Sequence, residues 1–535
     1  MNAIHELMTE AFFRLAGPLA LIGFCFWLAH YKEPLWEAWV SGRNRFLTLF
    51  ALSLAAAGLV YASVPVGFKV LSDETNLLSV ANMLSQFGKA SNTQIWLYYY
   101  HEYHPQNLAI PTRPVLFPAL TALVQAFIGM SAKAPFVVNF LFYVFLAGLV
   151  LHWTRGFVTA ASMVFVYVLC LLMNPALSVM SASAGFDLLS LFFAFATFLA
   201  LRHYLRRRDE FSLRGLLLAA LCFSSVRYES ILVFPVLLAG LCWHEREDVL
   251  KRISWLTWSG LFILMVPLIV QRGLTWGAFE NPPGVAPFSP LHLLKHAPIF
   301  LRSFFFDFAG PFPVVLHWLG LLGIFVWWRR PQEKNAKALF LIAGAYVGVQ
   351  ILLLLSHHFG VANHPTQARL FVPISFALTL AAFPLLALWQ RHAGILVLGA
   401  LLLFLHHHRF AMKDELTNRL TMTREMRYLR DFGVGEARPG RGADLFVYDR
   451  PGQLVALGES AVSWPFFQAR RPALEQNLQR GLYQRILFVE RVPYAPKPEK
   501  KSEEAALPAR KPLFERQLSE EEKLLVSVWE AQPSK

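Results

Sequence analysis

Apolar stretches recur from Phe12 to Phe410, broken by short polar or basic turns. Each is close to the roughly 20 residues a helix needs to cross a hydrocarbon core. The spacing predicts helices near 11–30, 46–67, 135–153, 157–173, 187–205, 253–271, 311–328, 337–356, 369–389 and 393–410. Two shorter ones, near 213–224 and 229–243, meet at Val226-Arg-Tyr-Glu229, and the short apolar segment 114–130 reads as re-entrant or half-buried, because a full crossing there would put Arg155 and Arg206–Arg208 on the wrong side. The pattern predicts an all-α polytopic membrane protein with about 11–13 transmembrane helices. The first stretch, Ala11 to His30, carries Arg14 and lacks a basic leader and a small-residue cleavage site, so it reads as a retained helix.

Two interruptions are longer. The stretch Lys69 to Arg113 reads as a loop whose amphipathic part, Asn76 to Phe87, lies on the membrane surface, and Gly273 to Gly310 reads as a second loop rich in Pro and Gly. After Met412 apolar residues recur with period two in Asp444–Tyr448, Gln453–Leu457 and Arg485–Val489, with Asp449-Arg-Pro-Gly452 as a turn signal. The expected organisation is a transmembrane domain over 1–410, a small C-terminal α/β soluble domain over 411–495, and a linker with a terminal amphipathic helix near Ser519–Trp529 over 496–535. No internal repeat is visible.

Composition agrees with lipid as the solvent. Hydrophobic residues make up 56% and charged residues 16%, against roughly 45–50% and 25% in soluble domains, which excludes an ordinary soluble enzyme. The net charge of +14 could suggest nucleic acid. However, the basic residues cluster at the ends of apolar segments, in Lys32–Arg45, Arg202–Arg208, Arg246–Arg252 and Arg329–Lys337. That placement fits cytoplasmic loops facing anionic lipid and no nucleic-acid partner. Keeping these clusters inside puts the 69–113 loop and the C-terminal domain outside the cytoplasm. The four cysteines, Cys25, Cys170, Cys222 and Cys242, lie in apolar segments without a CxxC pair, which argues against a disulfide framework or zinc site.

Several ionisable groups sit where they are costly. Asp73-Glu74 is either a solvated interfacial acid pair or a base with an orienting neighbour, since adjacent carboxylates near a low-dielectric boundary separate in pKa. His101-Glu-Tyr-His104 and Pro111-Thr-Arg113 return the same loop to the membrane, where Arg113 either snorkels to headgroups or holds a lipid phosphate. Asp187 is a helix cap or a site residue. Arg227 and Glu229 pair with each other or with a ligand. Arg369 follows His357, His358 and His364, a trio without a nearby carboxylate that makes a weak metal candidate. His406-His-His408 reads as an interfacial cluster.

The order of these features resembles the polytopic GT-C glycosyltransferases, such as protein mannosyltransferases and aminoarabinose transferases that use polyprenyl-phosphate sugars. The features are an acidic pair in the first loop, Arg113-Pro-Val-Leu-Phe-Pro118, a helix opening at Asp187 and closing on Arg206-Arg-Arg208, Val226-Arg-Tyr-Glu229, and Ala368-Arg-Leu-Phe-Val-Pro373. The resemblance covers residues 46–390. It implies a cell-envelope transferase of the bacterial inner membrane that moves a sugar on the extracytoplasmic face from a polyprenyl-phosphate carrier to a lipid, glycan or protein acceptor, with inversion. By the same resemblance Asp73 is the catalytic base with Glu74 as alternative, and Arg113, Arg227 and Arg369 bind the donor phosphate. His104, Asp187, Glu229 and His364 would line the substrate cavity. Some family members use a divalent cation at the acidic site. Two adjacent acids leave room for one at Asp73 and Glu74 without predicting a tightly bound metal. The chain departs from the family in an extra N-terminal helix and in Arg113-Pro-Val where two prolines are common. The competing readings are a secondary transporter or lipid flippase, which would tend to show duplicated halves, and an inactive scaffold of the same fold.

Overall fold

The computed structural model describes residues 13–30, 43–64, 66–69, 71–99, 102–155, 174–245, 248–275, 285–329, 335–364, 367–383, 385, 399, 425, 427–434, 444–493, 510–518 and 522–529. The predicted helices at 157–173 and 393–410, and His406 to His408, lie outside these residues. In chain order the elements are α1 Phe13–His30, α2 Arg43–Ser63, α3 Leu71–Phe87, β1 Ile95–Tyr99, β2 Glu102–Gln106, α4 Leu116–Ile128, α5 Ala134–Arg155, α6 Pro175–Ser181, α7 Asp187–Arg207, α8 Glu210–Ser224, α9 Val233–Glu245, α10 Asp248–Arg252, α11 Trp255–Leu274, α12 Pro290–Phe305, α13 Val314–Arg329, α14 Ala336–Ser356 and α15 Val372–Ala381. There follow β3 Leu445–Tyr448, α16 Pro451–Ala456, β4 Ser460–Val462, α17 Trp464–Gln479, β5 Ile486–Pro493, β6 Arg510–Gln517 and β7 Glu522–Trp529. Short 3-10 turns, Tyr228–Leu232 and Ala368–Phe371, lead into α9 and α15.

The chain divides into two compact units: Met1–Gly67 with Thr112–Ala119 and Phe136–Leu416, and Phe68–Pro111 with Leu120–Pro135 and Thr417–Lys535. The first unit is helical. Among the described residues five helices are long and apolar enough to cross a membrane: α1, the Ala134–Leu151 part of α5, α7, α11 and α14. Large apolar side chains such as Phe262, Trp255 and Leu352 point outward from them, as lipid-facing surface requires. The core is aromatic, with Phe304, Phe312, Phe371 and Phe383 fully buried. One polar chain runs through it. His317 Nδ1 donates to the Phe304 carbonyl (2.9 Å), so its Nε2 is the acceptor for Ser375 Oγ (2.7 Å), which in turn accepts from Asn174 Nδ2 (2.9 Å). α13 and α15 pack with almost no separation, because Gly320 and Gly323 face the carbonyls of Leu378 and Ala381, where any Cβ would clash.

The second unit is built on one sheet in the order β2-β1-β4-β3-β5-β7-β6. β3 runs parallel to β4 and β5, with α16 and α17 as the crossovers, while β1 and β7 flank this core antiparallel. The first-loop hairpin and the C-terminal segment therefore share a sheet. Ser460 Oγ fixes the join: it accepts from Tyr98 N–H (3.1 Å) and donates to the Trp96 carbonyl (3.2 Å).

Four expectations are corrected. Gln453–Leu457 is not a strand: Gln453–Ala456 lie on helix α16, which starts at Pro451 and is capped by Leu457. The helix is buried along its whole length, Pro451 to Ala456, so period two carries no information there. The predicted helix at Ser519–Trp529 is strand β7, whose β-branched and aromatic residues Val526, Val528 and Trp529 pair with β5 and β6. The loop Gly273–Gly310 contains the sixteen-residue helix α12, with Ser289 capping its start and Pro290 in its first turn. Finally, α3 does not float on a surface: Leu77, Leu78, Val80, Ala81 and Met83 are buried. The short segment 114–130 forms α4, thirteen residues long, or about 20 Å at 1.5 Å per residue. Gln125 on α4 donates to Asn82 Oδ1 on α3 (2.7 Å).

Candidate active site

The loop before α7 is held from several directions. Asn139, fully buried in α5, donates both amide hydrogens to the carbonyls of Ser183 (2.7 Å) and Gly185 (2.9 Å). Gly67 N–H adds a bond to the Ala182 carbonyl (3.1 Å), and Tyr61 donates its hydroxyl to the Ser181 carbonyl. These contacts fix Phe186 and Asp187 at the mouth of the helix. Phe186 occupies the cap position with no side-chain cap bond, so the Asp187 carboxylate is not used on a backbone N–H.

That carboxylate holds two guanidiniums. Oδ1 meets Arg227 Nη1 and Oδ2 meets Arg369 Nη1, both at 3.3 Å. Arg227 stands at the break between α8 and the Tyr228–Leu232 turn in an extended conformation, and Arg369 stands in the Ala368–Phe371 turn. Both arginines thus project from places where the helical backbone is interrupted, which is where charges inside a membrane protein find partners. Arg227 also meets Glu229 Oε1 through Nη2 at 2.7 Å. Arg113 joins through an aromatic ring, since its guanidinium carbon and that of Arg227 lie 5.8 and 5.4 Å from the Phe186 centroid. Gln271 Nε2 donates to the Arg113 carbonyl (2.9 Å), and Arg272 lies over Tyr228.

Arg227 and Glu229 are the charged residues lining a cavity of about 450 Å³, beside the polar Ser190, Thr197, Ser230 and Gln350. Most of its wall is apolar and follows α7 from Ser190 to Leu201, with Trp153, Phe198, Trp327 and Phe340 around it. A charged anchor beside an apolar slot has the chemical character to suit a molecule with an anionic head and a hydrocarbon tail.

The fold has a solved counterpart. The chain is similar in fold to ArnT. The structure of ArnT from Cupriavidus metallidurans bound to undecaprenyl phosphate superposes with a TM-score of 0.56 at 10% identity, covering 91% of this chain and 98% of that one. ArnT from the same organism in the apo state gives a TM-score of 0.47 at 13% identity, covering 90% and 98%. No protein-family model matches the sequence, and no curated protein matches it closely. At such identity the likeness establishes the fold, an ArnT-like polytopic membrane protein with a small sheet domain.

Asp187, Arg227, Glu229 and Arg369 form one ion-pair network, with Arg113 beside it on Phe186. Asp187 acts as a pairing group and not as a cap. His364 is exposed and takes no part in that network; its carbonyl accepts from Ala368 N–H (2.8 Å) at the start of the turn carrying Arg369. Asp73, Glu74 and His104 belong to the second unit. His104 lies in β2, half-buried, opposite Leu97. Asp73 and Glu74 occupy the first turn of α3, where the helix dipole favours negative charge. Glu74 is buried and accepts from the Lys69 N–H through Oε2 (2.7 Å), tying off the start of the helix, whereas Asp73 is partly exposed. Among the described residues no group of three His, Cys, Asp or Glu is placed to hold a metal ion.

Sequence reasoning missed Asn139, Phe186, Gln271 and the buried Lys69. Asn139 had a signal, being a lone amide in an otherwise apolar helix. Phe186 had none, because an aromatic residue before a helix is ordinary core material.

Proposed function

We propose that the protein is a membrane glycosyltransferase that moves a sugar from a polyprenyl-phosphate carrier to an acceptor. The observation that carries the reading is the Asp187–Arg227–Arg369 network standing at the head of an apolar cavity, in a fold shared with a protein solved with undecaprenyl phosphate. In this reading Arg113, Arg227 and Arg369 hold the phosphate and the cavity takes prenyl units. The acceptor hydroxyl or amine attacks the anomeric carbon, and Asp73 takes its proton. The bond from that carbon to the phosphate oxygen breaks, and the lipid phosphate departs with the electron pair. One displacement inverts the anomeric centre. The leaving group gains a negative charge as it departs, so fixed guanidiniums stabilise the transition state more than the ground state.

The proposed sidedness is supported by α7, which carries Asp187 at one end and Arg206 and Arg207 at the other. Its 21 residues span about 31 Å, close to the thickness of a hydrocarbon core. With the arginines on the cytoplasmic side, the network faces the exterior. In this proposal the active site is external and the membrane is the bacterial inner one, as expected of a polyprenyl-phosphate transferase.

The test is transfer from a radiolabelled polyprenyl-phosphate sugar to membrane acceptors, with donor binding measured separately. Asp73→Asn should bind donor and lose about 10²–10⁴-fold in turnover. If Asp73→Asn and Glu74→Gln both transfer at the parent rate, the proposed chemistry is wrong whatever the fold.

A further inference from the structure

Guanidiniums among the described residues meet carboxylates through the Nε–Nη2 edge in different ways. Arg485 uses both donors on Asp444, Nε at 3.1 Å and Nη2 at 2.6 Å. Arg491 likewise uses both on Glu425. Each of those edges is full, and each pair is a structural clamp. At Arg227 the same edge is half used. Glu229 meets Nη2 alone, while Nε is buried and has no hydrogen-bond partner among the described residues. A forked donor pair suits an anion that offers two oxygens side by side, and a buried N–H without an acceptor is a standing cost.

The two acids on Arg227 are also unequal. Asp187 is 4% exposed and held by two arginines, whereas Glu229 is 29% exposed, touches one, and borders the cavity. Asp187 is fixed, and Glu229 can leave. We propose that Glu229 is a resident anion on a phosphate seat formed by the Nε–Nη2 edge of Arg227, and that an incoming lipid phosphate displaces it. The phosphate then satisfies Nη2 and Nε together, which the single oxygen of Glu229 does not. Glu229 thereby sets the affinity for phosphorylated lipid and keeps the seat from holding it too long, since the carboxylate returns as the product leaves. The inference rests on the reading of Arg227 as a phosphate ligand.

The test uses the full chain in nanodiscs and measures binding of polyprenyl phosphate, the uncharged polyprenol, and inorganic phosphate as a competitor. Glu229→Gln should tighten polyprenyl phosphate by about ten-fold or more, the factor that one charge-assisted hydrogen bond is worth, and leave polyprenol unchanged. Inorganic phosphate should compete better against that variant if the seat reads the phosphate group alone. Competition at the parent strength would mean the prenyl chain is needed to bring the group in, and displacement would still follow from the tightened lipid phosphate. Glu229→Asp keeps the charge but falls short of Nη2, so it should also tighten binding, and it covers failure of the glutamine variant to fold. Arg227→Lys should weaken polyprenyl phosphate by about ten-fold. Parent affinity in both Glu229 variants with loss in Arg227→Lys overturns displacement and leaves the phosphate reading standing. Parent affinity in Arg227→Lys removes both. Tighter polyprenol binding in Glu229→Gln traces the gain to cavity polarity and overturns displacement.

Discussion

Asp187 and Arg369 are 182 positions apart in the chain, yet their side chains meet at 3.3 Å in a place where the carboxylate is only 4% exposed. The second oxygen of Asp187 meets Arg227 at the same distance. One carboxylate therefore ties the start of α7 to two separate interruptions of the helical backbone.

Removing that carboxylate should be expensive. Asp187→Ala leaves two guanidiniums without their shared partner, a change that typically costs about 3–5 kcal/mol. The expected result is a lower thermal unfolding midpoint in detergent. Asp187→Asn combined with Arg369→Gln should cost less than the sum of the single changes, with a coupling of about 0.5–3 kcal/mol.

Arg369→Lys should fold and weaken donor use. A point charge replaces a planar fork, and the lost charge-assisted contact is worth about 1.5–3 kcal/mol. Transfer assays at varied donor concentration should show the loss mainly as a raised KM. Parent kinetics would assign Arg369 to structure alone.

The two adjacent acids should respond in opposite ways. Glu74→Gln keeps an oxygen for the Lys69 N–H and should be mild in both stability and turnover, while Glu74→Ala removes the tie and should destabilise by about 0.5–2 kcal/mol. Asp73→Asn should leave stability near the parent value and remove turnover. A reversed ranking in the transfer assay would exchange the roles of the two residues.

A pH effect should be visible in the second unit. Burial raises the Glu425 carboxyl above its ordinary value of 4.5, more than the neighbouring Arg491 lowers it. A raised folded-state value means that this contribution to stability is complete below the ordinary carboxylate range and is lost as pH rises through the raised value. Hydrogen exchange at β5 and β7 should therefore show weaker protection above that window than below it, and Glu425→Gln should flatten the difference.

Sidedness can be read with single cysteines in a background lacking the native ones. Asn107 and Arg480 are both exposed. Asn107→Cys and Arg480→Cys should react with an impermeant maleimide in intact cells or spheroplasts, and protection of both would invert the proposed topology.

The helical unit was legible because hydrophobic runs of membrane length carry little ambiguity, and the basic turns mark their ends. The network residues were legible one by one: Asp187, Arg227, Glu229 and Arg369 stand out as charges in apolar surroundings. The Arg227–Glu229 pair, two positions apart, was among the expectations; the contacts of Asp187 were not, because its pairing with Arg369 across 182 positions leaves no local trace. In the second unit the period-two runs at Asp444–Tyr448 and Arg485–Val489 coincide with β3 and β5, but two other local signals misled. The run Leu454-Val-Ala456 is apolar on every side and shows no period, and the alternating charges of Glu522-Lys-Leu-Leu-Val526 suit an amphipathic helix as well as a strand. Tertiary pairing with β5 and β6 settled that choice, as it commonly does for short segments.

The bond from Ser460 to the Trp96 carbonyl joins positions 364 residues apart, and this has a bearing on biogenesis. At a synthesis rate of about 5–20 residues per second, the hairpin β1–β2 is made roughly 20–70 s before the strand that completes it. The equilibrium penalty for so long a closure grows only logarithmically. The kinetic exposure is larger: throughout that interval Trp96 lacks its cover, and the β1 edge is open to pairing with any nascent neighbour. Assembly of this protein is thus a race between the arrival of its last quarter and the capture of its first loop, and chaperone supply on that face of the membrane should govern yield more than the strength of the finished sheet.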